Sequence, residues 1–177
     1  MADSTAFKAI WVTCDSPHDY ATTRHRFDER VPFLDQTVAL NLVIGNASWA
    51  EVEAEVGRRA GPSGLAALSR LDEGALLSLH GEPVEATQYL VGNPAIAQQV
   101  ISLNRAACLH APFPLAIYTD ATGTHIACTR PSSLLGPLGS QAIDEIAAEL
   151  DDRIMRTVEG ACSLPELTRP RPGSVLQ

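Results

Sequence analysis

Along this chain, blocks of β-branched and aromatic residues alternate with stretches in which apolar side chains recur every three or four positions. Strands and helices are therefore both expected. Residues 6–14, 37–44, 84–91, 115–120 and 124–130 carry the first pattern and are predicted strands. Residues 24–33 are predicted as a further extended segment, after a turn over 15–20. Residues 65–71 and 75–79 form two apolar runs around Asp72-Glu73-Gly74, read as one bent strand or a hairpin. The turn Ala121-Thr122-Gly123 between two alternating runs is a hairpin signal.

The helical pattern occurs three times. Ser48 and Glu51 make a Ser-x-x-Glu capping box, which places Trp49, Val52 and Val56 on one face before Gly57 and Gly61-Pro62-Ser63-Gly64 end the helix. Tyr89-Leu90-Val91 hands over through Gly92 to Asn93, an N-cap, and Pro94, a first helical residue. That helix runs to about Asn104, with Ile96, Val100 and Leu103 facing inward. Residues 141–159, with Ser140 expected as the cap, carry Ile143, Ile146, Ala147, Leu150, Ile154 and Val158 on one stripe. Asp144 and Glu145 open this helix and Arg153 and Arg156 lie near its end, the order that a helix dipole favours. Strands in pairs with intervening helices predict an α+β two-layer sandwich rather than a doubly wound parallel sheet.

Composition narrows the partners. The chain has 177 residues, 45% of them hydrophobic, enough for a buried core but without an apolar run long enough to span a bilayer. A net charge of −8 repels nucleic acid and anionic membranes, so neither is an expected partner. Met1-Ala2-Asp3-Ser4-Thr5 carries no positive charge before an apolar stretch, which predicts no signal peptide and a cytoplasmic location. Lys8 is the only lysine, near a terminus, and Schiff-base chemistry is not expected.

The motifs of familiar chemistries do not occur. There is no Gly-x-Ser-x-Gly elbow, no Gly-x-Gly-x-x-Gly and no phosphate loop, so no cofactor is expected. Cys14, Cys108, Cys128 and Cys162 include no Cys-x-x-Cys pair and read as small apolar residues. Cys108 and His110 with His125 and Cys128 have the ligand types of a soft metal site. Residues three apart on a strand point to opposite faces, however, so no metal is expected.

Two stretches carry a family resemblance. They are Tyr89-Leu90-Val91-Gly92-Asn93-Pro94 leading into a helix, and Ala107-Cys108-Leu109-His110-Ala111-Pro112 leading into Leu115-Ala116-Ile117-Tyr118-Thr119-Asp120 and a return strand that ends at Arg130-Pro131. From about Val38 to Val158 the chain resembles the domain-of-unknown-function 302 family (DUF302). The resemblance implies a curved, TATA-binding-protein-like antiparallel sheet with helices packed on one face, and pairing as a homodimer. It divides the chain into an N-terminal extension, 1–36, adding one or two strands, a DUF302-like domain, 37–162, and a flexible Pro-rich tail, 163–177. Members of the family often carry a His after an apolar–Asp pair. Here Leu71-Asp72 is followed by Glu73, so no role of that His carries over.

Two functions from different classes fit these observations. The first is a homodimeric binding protein whose apolar cleft takes a small molecule, with Tyr89, His80 and Cys108 as ligand-binding candidates. The second is a cofactor-independent isomerase, cyclase or lyase. In it Glu73 or Asp72 is the base, His110 or Tyr118 the acid, and Arg130, expected near Tyr118 across the hairpin, steadies developing negative charge.

Overall fold

A computed structural model describes residues 4–164. Five strands, β1 (Trp11–Ser16), β2 (Ala66–Asp72), β3 (Ala86–Gly92), β4 (Phe113–Asp120) and β5 (Gly123–Thr129), form one curved antiparallel sheet in the order β1-β5-β4-β3-β2. Seven α-helices are present among the described residues: α1 (Tyr20–Arg30), α2 (Gln36–Ile44), α3 (Trp49–Arg59), α4 (Glu73–Leu77), α5 (Pro94–Leu103), α6 (Pro131–Leu135) and α7 (Gln141–Cys162). The expected tail lies almost wholly outside the described residues.

Strand alternation gives the sheet two unlike faces. Tyr89, Val91, Phe113, Leu115, Ile117, Ile126 and Cys128 point to one side, where they meet Phe27 and Val31 of α1 and Ile154, Val158 and Ala161 of α7. Phe27 and Tyr89 touch edge to face at 5.1 Å. A smaller cluster of Val100, Ala107, Leu135, Ile143 and Ala147 joins α5, α6 and the first half of α7. On the other face Trp11, Thr13, Gln88 and Pro114 are exposed. The α+β two-layer architecture is thus as the sequence pattern predicts.

Three segments differ from the prediction. Residues 24–33 are helical over Tyr20–Arg30, not extended, because Asp19 caps the Thr22 amide at 2.7 Å. Thr23, Phe27 and Val31, four apart, then bury one stripe under the sheet. Residues 37–44 are rich in Val, Leu and Ile, yet they form α2. Asp35 caps Thr37 at 2.8 Å, and among the described residues no strand pairs with the segment, so its backbone satisfies itself locally. Residues 75–79 are not a strand either, because the Asp72 side chain accepts from Ala75 N at 3.0 Å and opens α4. Gly74 is required there: a Cβ would stand 2.4 Å from Val84 O.

Most local signals elsewhere form as read, although Leu103, expected to face inward, is exposed. Ser48 N donates to Glu51 Oε2 at 2.7 Å and Glu51 N to Ser48 Oγ at 3.4 Å, completing the capping box of α3. Asp120 pairs with Gly123, whose φ of 134° closes the β4–β5 hairpin. Ser140 precedes α7 without capping it through its side chain. The other end of α7 is held from α1. There Arg26 donates to the carbonyls of Ala161 at 2.8 Å, Gly160 at 3.2 Å and Ser163 at 2.6 Å.

Candidate functional site

The handover from β3 to α5 builds one end of the sheet. Asn93 Oδ1 accepts from Ala95 N at 2.8 Å and Ile96 N at 3.4 Å, so α5 leaves the end of β3 with a fixed start. Opposite it the chain returns through the cis Ala111–Pro112 bond into Phe113 of β4. Between these segments, α6 and α7 lies a half-open hollow of about 410 Å³. Its walls include Trp49, Ile96, Val100, Pro112, Phe113, Leu135 and Leu150, with Asn93, Gln98, Ser102 and His110 as polar groups. A second apolar hollow of about 380 Å³, between α2 and α3, shares Trp49 and Pro94 with the first. The apolar space therefore sits beside the end of the sheet. The space beneath the sheet is filled by α1 and α7.

Of the residues singled out from sequence, His110 alone lines the larger hollow. Its ring meets Phe7 edge-on at 6.3 Å, and neither ring nitrogen bonds another described residue. Cys108 is exposed two residues earlier, in a 3-10 turn. His80 is exposed at the end of another such turn.

Asp72 and Tyr89 join one polar strip along α1. Asp72 pairs with Arg24 at 3.5 Å, Tyr89 OH donates to Asp28 at 3.0 Å, and Arg70 pairs with Asp28 at 3.2 Å. Burial, and then the Asp28 charge, push the Tyr89 phenol well above its ordinary value. This strip fastens α1 to β2 and β3. Glu73 lies half-buried in the first turn of α4.

Tyr118 is on the opposite sheet face, across from His125 at a ring separation of 5.2 Å. Its hairpin partner is therefore His125 and not Arg130, which lies past the end of β5, 4.0 Å from Asp151. The five residues of the acid–base reading (Asp72, Glu73, His110, Tyr118 and Arg130) are thus not brought into one pocket. Strand parity and register separate them.

One polar cluster escaped the sequence reading. His125 Nδ1 bonds Asp15 at 2.9 Å, and Nε2 bonds Asp120 at 3.0 Å and Thr122 at 2.9 Å. Burial alone lowers the His125 pKa, but its hydrogen bonds to Asp120 and Asp15 outweigh it and the net shift is upward. Hydrogen bonds from Thr122, then His125, hold Asp120 down at about 2. The available signal was Asp120-x-Thr122 turning into a strand that begins near His125. Cys128 faces the core while His125 faces away from it, and among the described residues no group of three His, Cys, Asp or Glu side chains is arranged to hold a metal ion.

A two-layer α+β protein with an apolar hollow beside its sheet is the class that this geometry defines. Residues 42–161 match the model of the family "Domain of unknown function DUF302", and the chain belongs to that family. The crystal structure of an uncharacterized conserved DUF302 protein from Bacillus stearothermophilus is similar to it, with a TM-score of 0.60 at 19% identity. The match covers 86% of this chain and 98% of that one and speaks for the fold alone. No curated protein matches the chain. Among the described residues no helix is long and apolar enough to cross a membrane.

Proposed function

We propose that this protein is a homodimeric binding module that takes a small, largely apolar molecule into the hollow between α5, α6 and the Pro112–Phe113 segment. The observation that carries this reading is the hollow itself, about 410 Å³ with predominantly apolar walls. That size and lining suit a small organic ligand, and the few polar groups suit orientation rather than reaction. His110, half-buried on the wall, supplies one hydrogen bond to a polar end of the ligand.

The neutral apolar dye Nile red tests the site. Its fluorescence is expected to rise saturably with one site per chain. Ala97→Trp, which fills the hollow from α5, is expected to abolish the signal while leaving the melting temperature intact. A ligand from a neutral library at about a hundred times its Kd adds roughly 2.7 kcal/mol of stability. An unsaturable dye signal, with no thermal response across the library, sinks the reading.

The uncovered sheet face suits pairing. Trp11 is 69% exposed there, beside the uncharged Thr13, Gln88, Pro114 and Ala116. Sedimentation equilibrium is expected to give twice the chain mass, and Trp11→Arg to return the single-chain mass with unchanged circular dichroism. A wild-type chain that stays single at every concentration removes the dimer from the proposal.

A further inference from the structure

A second kind of site lies on the far side of Asn93, where the Gly61-Pro62-Ser63-Gly64 loop packs against α7. Two adjoining hollows there share Pro62, Ser63 and Arg156. One, of about 510 Å³, adds Glu29, Arg30 and Thr157, and the other, of about 440 Å³, adds Asn93, Glu149 and Arg153. The second has mostly polar walls, while the first mixes its charged groups with a larger share of apolar surface.

The charges do not cancel. Arg153 is committed, with Glu149 at 2.5 Å and the Ser63 carbonyl at 3.1 Å. Glu29 has His25 at 3.4 Å. Arg30 gives one nitrogen to Arg26 O at 3.1 Å and has no carboxylate partner among the described residues. Its guanidinium lies against Gly160, where an added Cβ would meet Nε at 2.8 Å. Arg156 is exposed, and no described residue bonds it. Two arginines that line the first hollow thus have no carboxylate of their own among the described residues, in a chain of net charge −8.

A second observation is independent of charge. Ser63 Oγ is buried and has no hydrogen-bond partner among the described residues. A buried hydroxyl without a partner is costly, and such groups are as a rule bonded. The loop is held where it leaves this hydroxyl: at Gly61 a Cβ would fall 1.8 Å from Arg30 O, so the chain runs directly over the end of α1.

We propose that this groove binds a small metabolite through an oxyanion, a phosphate ester or a carboxylate, held by Arg156 and Arg30 with the Ser63 hydroxyl as a further donor. Guanidinium forks match the planar pair of oxygens on either group, and a hydroxyl completes the donor set. Glu29 and Glu149 also line the two hollows, and their charge opposes an anion placed against them rather than against the arginines. The site is separate from the apolar hollow and does not depend on it.

The test titrates the full chain with sodium phosphate and, in a parallel arm, sodium succinate, each against sodium chloride at matched ionic strength, by calorimetry. Saturable binding in either arm, weakened about tenfold in Arg156→Ala and also reduced in Ser63→Ala, supports the site, tenfold being roughly one charge-assisted bond. The arm that responds tells phosphate from carboxylate. Arg156 is exposed, so its variant is expected to keep the wild-type melting temperature. No saturable heat in either arm overturns the proposal. So does binding that survives both substitutions.

Discussion

The Asn93 side-chain amide donates to the Gly64 carbonyl at 2.7 Å, while the same residue's Oδ1 caps α5. One side chain therefore ties the loop before β2 to the helix after β3, and it forms a wall of both the apolar hollow and the arginine groove. Asn93→Ala removes both bonds, at an expected cost of about 1–3 kcal/mol. Asn93→Asp keeps the cap but turns a carboxylate on the Gly64 carbonyl. If urea midpoints place Asn93→Asp level with wild type, the Gly64 bond contributes nothing.

Tyr89 is buried at 0% exposure, with its hydroxyl on Asp28. Tyr89→Phe is expected to lose roughly 1 kcal/mol at neutral pH, since Asp28 keeps Arg70 at 3.2 Å. The raised phenol pKa has a second consequence. The folded chain holds this proton above the ordinary tyrosine value of about 10, so unfolding releases it and stability falls as pH climbs past that value. Ultraviolet absorbance should show the Tyr89 tyrosinate only as the fold is lost, and the alkaline decline should be shallower in Tyr89→Phe.

His125 stabilises the β1–β5 edge most when protonated, because carboxylates meet both ring nitrogens. Its folded pKa is raised, so the contribution is full below the unfolded value of about 6.5 and is lost as pH rises through the folded value. Asp120, held at about 2, contributes above its unfolded value and loses the contribution as pH falls toward 2. The groups facing the imidazole are Asp15 from β1, Asp120 and Thr122 from the turn, and Tyr118 from β4. The gap in urea midpoint between wild type and His125→Gln should shrink from about pH 6 to about pH 8.5. A gap that widens over that range contradicts this assignment.

Gly74→Ala should be the most damaging small substitution in the β2–β3 connection. The new methyl would meet Val84 O at 2.4 Å and Ala86 N at 2.7 Å, both backbone atoms that cannot swing aside. The expected loss is about 2–4 kcal/mol, within the range of forced overpacking. A thermal melt within a degree or so of wild type would show that β3 yields at its start.

Elements whose instructions are local were legible in the residues. The Ser48–Glu51 box, the Gly92-Asn93-Pro94 start of α5 and the 120–123 hairpin each depend on atoms within a few positions, and each forms. The stripe from Ile143 to Val158 was equally plain, and its residues are buried except Ile146, which is half-buried. Residues 24–30 and 37–44 are helical and not extended because the side chains of Asp19 and Asp35, which precede each segment, cap and start a helix there. Strand propensity is the weaker signal beside these caps.

The candidate site was much less legible. His110 was named, whereas Trp49, Ile96 and Leu135 were known only as helical or irregular positions. Tyr118 and Arg130 looked adjacent until the register put His125 between them.

By itself, the order of residues determined the class of fold, the family and the positions of most turns and caps, because these follow from short-range sterics and hydrogen bonds. Tertiary structure alone decided which side chains share a space. It set the β4–β5 register, turned Tyr118 and Tyr89 to opposite faces, and carried the Gly61–Gly64 loop to Arg153 and Arg156, some ninety positions away. Such meetings depend on how layers pack across the whole chain, and no local pattern encodes them.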